Sequence, residues 1–290
     1  MSTPVIVGFD GSAAADSAVQ HGARQAARRG SELRIVHAFG WFLLPPPMYP
    51  PYADIDQGPR AALLDLLART AGNVRAAWPQ VTVSTRLIDG SPSAVLIDAS
   101  RDAQLLVVGH RGVGGFAGLL AGSTATQVAG HASCPVTVVR EADTSDDAVI
   151  VLGMDGSSHA FAAADVAFAE ACRHDSELVI VTHGQALSDT EPDPVAAQVD
   201  QLTRHYSDVK HRREIAEATT PATALIDTAN RLRGGMIVVG SRGQGGFRGL
   251  ITGSTSRALI DHAGCPVTVV PSATAQNLLR DTEVPESKEE

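Results

Sequence analysis

The feature that most constrains this chain is an internal repeat. Residues 109–140 read GHRGVGGFAGLLAGSTATQVAGHASCPVTVVR, and residues 240–271 read GSRGQGGFRGLITGSTSRALIDHAGCPVTVVP. The two segments align without a gap, and 19 of their 32 positions are identical. A hydrophobic run that ends in Asp-Gly-Ser is also repeated, closing at residues 10–12 and again at 155–157. A duplication of this length predicts two copies of one domain in tandem.

The length of 290 residues suits two domains of ordinary size. We expect the first domain at residues 1–141 and the second at residues 147–271. The first copy is longer, chiefly because of residues 41–58, which contain five prolines. Proline excludes a helix interior or a central strand, so this stretch is predicted to be a surface insert. Residues 272–290 are charged, end in PESKEE, and are expected to form a disordered tail.

Short aliphatic runs alternate with longer helical patterns in both copies. In the first copy we expect strands near residues 5–9, 33–39, 81–88, 105–109 and 136–140, and helices near 13–29, 60–78, 93–101 and 123–131. In the second copy we expect strands near residues 148–153, 178–183, 209–216, 236–240 and 267–271. Regular alternation predicts an α/β fold: two tandem, doubly wound, Rossmann-like domains, each with a five-stranded parallel sheet.

Composition excludes several classes of function. The formal net charge is −9 and no Lys/Arg cluster is present, which argues against a nucleic-acid partner. No apolar run approaches the ~18 residues of a membrane-spanning helix. The three cysteines are far apart and no export signal is visible, so we expect a cytoplasmic protein. Cys134 and Cys265 are predicted to be buried small side chains, with redox sensing as the alternative.

In an open parallel sheet, ligands bind beyond the carboxyl ends of the strands. Two repeated features are predicted to lie there: an Asp after the first strand, Asp10 or Asp155, and a glycine-rich segment after the fourth. The segment has the spacing G-x2-G-x9-G-[ST] in both copies. Its defining residues are Gly109, Gly112, Gly122, Ser123 and Thr124 in the first copy, and Gly240, Gly243, Gly253, Ser254 and Thr255 in the second.

Such a segment suits phosphate. Glycine lets the backbone approach an anion closely, successive N–H groups form an anion nest, and the last Gly-Ser-Thr opens a helix with its positive dipole end. The hydroxyls of Ser123, Thr124, Ser254 and Thr255 could also donate to phosphate oxygens or ligate a metal ion. Asp10 and Asp155 are predicted to serve the other end of the ligand, accepting from ribose hydroxyls or the adenine amine. The alternative is that these residues are only turns and helix caps.

The segment contains one arginine in each copy, Arg111 and Arg242. These residues could neutralise phosphate or could equally be solvated surface side chains. No Lys precedes Ser123, so the segment is not a Walker A loop. No committed base or nucleophile accompanies it, so we predict no fast enzyme. A weak Mg-dependent ATPase is the alternative.

With the CPVTVV sequence of the fifth strand, these motifs are specific. The chain resembles tandem universal stress proteins of the ATP-binding subgroup over essentially its whole length, except for the insert and the tail. The resemblance implies the strand order 3-2-1-4-5, bound ATP with Mg, and homo-oligomers that pair through strand five. It also implies that Ala38 and Gly184, just past strand two, give backbone contacts to adenine.

The expected function is therefore ATP binding in each repeat, as a regulatory or stress-response module whose state a protein partner reads. A structural or interaction module without nucleotide is the competing interpretation. The two copies also differ. Asp89-Gly90-Ser91-Pro92 in the first corresponds to Thr219-Thr220-Pro221 in the second, and His110 corresponds to Ser241. We therefore predict two sites of unequal affinity.

Overall fold

The computed structural model forms two compact units. The first contains residues 1–128 and 136–143, and the second contains residues 129–135 and 144–290. The structure describes residues 3–40, 57–113, 121–140, 149–184, 193–243, 252–271 and 274. Residues 41–56 of the predicted insert, the stretch between the two predicted domains and nearly all of the predicted tail lie outside the described residues.

Strands and helices alternate through the first unit. Its elements are β1 (Val5–Gly8), α1 (Ala13–Arg29), β2 (Leu33–Phe39), α2 (Gln57–Ala77), β3 (Val83–Asp89), α3 (Pro92–Ala99), β4 (Leu105–Gly109), α4 (Ser123–His131) and β5 (Val136–Val139). The strands lie in the order β3-β2-β1-β4-β5, and each neighbouring pair is parallel. The predicted α/β class and the order 3-2-1-4-5 are confirmed.

The second unit repeats the first. Its elements are β6 (Ile150–Met154), α5 (Ser158–His174), β7 (Leu178–His183), α6 (Pro194–His205), β8 (His211–Ala216), α7 (Pro221–Leu232), β9 (Met236–Gly240), α8 (Ser254–His262) and β10 (Val267–Val270). Its strands follow the equivalent order β8-β7-β6-β9-β10, again in parallel. Because β1 and β6 are central, their carboxyl ends lie at the point where the strand order reverses.

The third strand of each unit begins later than the sequence predicts. The amide of Val81 donates to the Trp78 carbonyl (3.0 Å), and the amide of Val209 donates to the Tyr206 carbonyl (3.1 Å). These bonds close a turn after the preceding helix, so β3 and β8 each start two residues further on. Both valines are buried, which explains why they resemble strand residues in the sequence. In addition, α2 begins at Gln57, so the last two residues of the predicted insert belong to a helix.

The first helix of each unit starts and stops at equivalent residues. Ser12 and Ser157 are the N-caps of α1 and α5, and each hydroxyl accepts from the amide three residues on, at 3.2 Å. At the other end, the C-caps Gly30 and Asp175 are both left-handed, with φ of 58° and 49°. Glycine adopts this conformation without strain, and aspartate is among the residues that tolerate it.

Small side chains let the helices pack close to the sheet. The buried face of α1 is dominated by alanine, and it packs on the aliphatic side chains of β1 and β2. Gly22 on α1 lies so near Val7 on β1 that a Cβ atom on Gly22 would be 2.4 Å from the Val7 Cγ2 atom. Such close layers need few bulky groups, in keeping with an aromatic content of only 4%.

Substitution of Gly22 tests this packing. We expect Gly22→Ala to lower the free energy of unfolding by about 1–3 kcal/mol, because the added methyl overpacks the helix–sheet contact. Gly72→Ala is the matched control, since Gly72 is exposed on α2 and a Cβ atom there meets nothing within 4 Å. That change should instead stabilise the chain by about 0.5–1 kcal/mol. Urea denaturation measures both, and equal effects of the two substitutions would contradict the packing described here.

Candidate functional site

Each unit has a cavity at the carboxyl edge of its sheet, of about 430 Å³ in the first unit and about 510 Å³ in the second. The first cavity is lined by all eight residues predicted for the first copy: Asp10, Ala38, Gly109, Arg111, Gly112, Gly122, Ser123 and Thr124. The second is lined by seven of the eight predicted for the second copy: Asp155, Gly240, Arg242, Gly243, Gly253, Ser254 and Thr255. Gly184 is not among the described residues that line it.

Gly184 lies one residue beyond the position that corresponds to Ala38 in the first unit. Leu33 in β2 and Leu178 in β7 hold the same place beside the central strands, opposite Val5 and Ile150. Five residues further on stand Ala38 and His183, and both line a cavity. The sequence alignment matched the two histidines, His37 and His183, and was therefore displaced by one residue.

The Asp after the first strand joins two segments of backbone. Asp10 Oδ1 accepts from the Ser12 amide (3.0 Å), and Asp10 Oδ2 accepts from the Val113 amide (2.9 Å). In the second unit, Asp155 Oδ1 accepts from the Ser157 amide, also at 3.0 Å. The carboxylate thus connects the start of the first helix with the start of the glycine-rich segment. Both oxygens of Asp10 accept from backbone amides, and each oxygen keeps a second lone pair.

Two of the three glycines are required by contacts within the protein. A Cβ atom on Gly112 would lie 2.3 Å from Asp10 Oδ2, and a Cβ atom on Gly243 would lie 2.3 Å from Asp155 Oδ2. At Gly109 the same atom would lie 2.7 Å from the carbonyl carbon of Ala14, in the first turn of α1. A side chain at any of these positions would push the glycine-rich segment away from the first helix.

The third glycine opens a helix. Gly253 is the N-cap of α8 and offers no side chain to the first amides of that helix. These amides have no acceptor within the helix, so they remain available to an anion in the cavity. The amides of Gly122 and Gly253 donate back to the carbonyls of His110 and Ser241, at 2.8 and 2.7 Å. Each glycine-rich segment is therefore closed into a loop by a bond between its two ends.

The positive charge of the sites comes from arginine and helix ends rather than from histidine. Burial lowers the pKa of His37, which lines the first cavity, and the Phe9 carbonyl and the Asp10 carboxylate only partly offset it. Burial, with the nearby Arg242 guanidinium, likewise lowers the pKa of His159 at the start of α5. Both imidazoles are thus neutral at neutral pH. His159 could not be singled out from the repeat, because Ala14 occupies that position in the first copy.

The far end of each cavity is apolar. A valine from the second strand and a proline and a leucine from the third helix form this wall: Val36, Pro92 and Leu96 in the first unit, and Val181, Pro221 and Leu225 in the second. The second copy lacks the Asp-Gly-Ser that precedes Pro92. Its helix α7 nevertheless begins at the equivalent proline, because Thr220 acts as N-cap and accepts from the Thr223 amide at 3.1 Å.

The part of the chain that the structure describes contains no group of three or more His, Cys, Asp or Glu side chains that could hold a metal ion. No helix in that part is long and apolar enough to cross a bilayer. Cys134 and Cys265 are buried, as predicted, and Cys172 is exposed. Burial raises the pKa of the Cys265 thiol to about 11, which keeps it protonated and a poor nucleophile.

Comparison with known proteins agrees with this duplicated geometry. The model of the Universal stress protein family matches residues 1–140 and again residues 148–271. This chain belongs to the universal stress protein family. It is 32% identical to a universal stress protein of Mycolicibacterium smegmatis and 31% identical to Universal stress protein Rv2623 of Mycobacterium tuberculosis. Both alignments cover 92% of this chain and 96% of the relative.

Solved structures support the fold of this universal stress protein. A universal stress protein from Archaeoglobus fulgidus superposes with a TM-score of 0.73 at 22% identity, covering 93% of this chain and 97% of that one. A second, described as a putative universal stress protein from Pseudomonas aeruginosa, gives a TM-score of 0.66 at 16% identity and covers 96% of both chains. The tandem arrangement of the two units is thus shared over nearly the full length.

The carboxylate bridge can be tested by Asp10→Asn. Asparagine keeps one oxygen acceptor, but its NH2 group cannot accept, so either the Ser12 or the Val113 amide loses its partner. We expect hydrogen exchange at one of these two amides to accelerate by about 5- to 30-fold, as measured by NMR. Asp98→Asn, which removes an exposed carboxylate on α3, should leave both amides unchanged. Unchanged exchange in Asp10→Asn would mean that the bridge does not hold the loop.

Proposed function

We propose that each unit of this universal stress protein binds one ATP molecule with Mg, and that the protein works as a nucleotide-dependent regulatory module in a stress response. The observation that carries the proposal is the repeated combination, around one cavity per unit, of a closed glycine loop, a helix N-terminus and an arginine. Each of these elements favours phosphate, and together they leave an apolar compartment for a base.

The phosphate end is assigned to the start of α4 and α8. The first residues of both helices line their cavities, and the first amides of a helix have no acceptor within it. The hydroxyls of Ser123 and Ser254 can donate to phosphate oxygens or meet the metal that ATP carries. Arg111 and Arg242 line the same end and would offset the charge of a triphosphate. The base would lie against the valine, proline and leucine of the far wall, with backbone groups at the end of the second strand as its polar contacts.

A regulatory role suits these residues better than rapid catalysis. Fast phosphoryl transfer uses a positioned base or water-orienting group and a cation at the γ-phosphate. Asp10 is a carboxylate lining the first cavity, but both of its oxygens already accept from backbone amides. It is therefore suited to holding the loop, and ATP occupancy rather than turnover would be the signal that a protein partner reads. A weak Mg-dependent ATPase activity would need a water-activating group other than this carboxylate.

Calorimetric titration of Mg-ATP into nucleotide-free protein tests the proposal directly. We expect two sites per chain with unequal dissociation constants, because the base-end wall and the first helix turn differ between the units. Saturation at 100 times the dissociation constant should also raise the free energy of unfolding by about 2.7 kcal/mol per site. No binding by a folded, nucleotide-free sample would leave a structural or interaction module instead.

The phosphate end can be tested separately in each unit by Gly122→Asp and Gly253→Asp. Aspartate is a favoured N-cap, and a Cβ atom would lie 3.4 Å from the His110 carbonyl oxygen or 3.3 Å from the Ser241 carbonyl oxygen, so the fold should be retained. The added negative charge should weaken ATP binding in its own unit by about tenfold or more.

Gly122→Asn and Gly253→Asn are the matched controls, because asparagine has nearly the same shape and capping ability without the charge. Each should retain most of the affinity that the aspartate variant loses. If aspartate and asparagine weaken Mg-ATP binding equally, the effect is steric and the phosphate is bound elsewhere.

A further inference from the structure

The base-end walls of the two cavities share the valine, proline and leucine already described. One position that differs is the fifth residue after the leucine that pairs with the central strand, which is Ala38 in the first unit and His183 in the second. Ala38 contributes only a methyl group there, whereas His183 places an imidazole at the same edge. The residue before it also differs, since His37 lines the first cavity and Thr182 is not among the described residues that line the second.

The imidazole of His183 is held in one orientation. Its Nε2 atom lies 2.8 Å from the carbonyl oxygen of Ala218, in the segment between β8 and α7. A carbonyl oxygen can only accept, so Nε2 must carry the hydrogen of this bond. In the neutral ring, Nδ1 is then the nitrogen without a hydrogen, and it is a hydrogen-bond acceptor. His183 lines the second cavity, so its neutral ring offers a side-chain acceptor at the base end.

We propose that His183 is a specificity-determining residue that makes the second site selective for nucleotides whose base carries an exocyclic amine. The proposal rests on the proposed function, because it assigns the base to this end of the cavity. Nδ1 of His183 accepts a hydrogen bond from the 6-amino group of a purine. A 6-oxopurine presents a carbonyl oxygen at that position, which places two acceptors against each other. Ala38 offers no such contact at the equivalent position of the first site.

ATP and ITP differ by this one group and are the probes of choice. The full chain carrying Gly122→Asp, which disables the phosphate end of the first unit, reports the second site alone. In this background Mg-ATP should bind more tightly than Mg-ITP. Adding His183→Ala should reduce the ratio of the two dissociation constants by about 5- to 10-fold, which is the size expected for one hydrogen bond. His183→Gln keeps an acceptor and a donor, and it should restore part of the preference.

The first site supplies the internal control. In a Gly253→Asp background, the ratio for the first site should not respond to His183→Ala. If ATP binds the second site but His183→Ala leaves the ratio unchanged, or weakens ATP and ITP equally, the inference is overturned and His183 only builds the wall. If neither nucleotide binds the wild-type chain, the proposed function itself fails.

Discussion

The hydrogen bonds of the aspartate after the first strand are the interactions on which the rest of each site depends. In the first unit, Asp10 accepts from Ser12 at the start of α1 and from Val113 in the glycine loop, so one side chain sets the distance between helix and loop. Removing an acceptor from such a pair leaves a backbone donor unsatisfied, which costs about 1–3 kcal/mol where water cannot replace it. Asp155 makes the equivalent bond at the start of α5. The repeat of Asp-Gly-Ser thus reflects a structural requirement at the start of the first helix of each unit.

The spacing G-x2-G-x9-G also has three separate causes. The first glycine admits the first turn of the neighbouring helix, with Gly109 against Ala14 and Gly240 against His159, and the second admits the aspartate oxygen. Only the third, at the helix N-terminus, is directly available to an anion. Sequence reasoning attributed all three to close approach of a phosphate. The motif therefore combines two packing requirements with a helix N-terminus that suits the proposed phosphate.

The fold could be predicted almost completely from the sequence, because short aliphatic runs and a gap-free repeat leave little freedom for a parallel sheet. The errors arose where a local pattern had two interpretations. Val81 and Val209 are apolar because they are buried in turns, not because they pair in a ladder. The displacement at Gly184 arose because histidine is near the end of the second strand in both copies. The true register depends on which leucine pairs with the central strand, and that pairing joins residues that are far apart in the sequence.

The two units share the residues that define their glycine-rich segments and differ at the end of the second strand. The aspartates and the six glycines of the G-x2-G-x9-G spacing are the same in both. A Cβ atom on Gly109, Gly112, Gly240 or Gly243 would lie within 3 Å of a neighbouring group. Ala38 and His183, by contrast, differ by a whole imidazole, yet the flanking strands keep the same register. The side chain at the end of the second strand can therefore differ between the units without moving the strands. Under the function proposed above, the two sites would differ where the base lies.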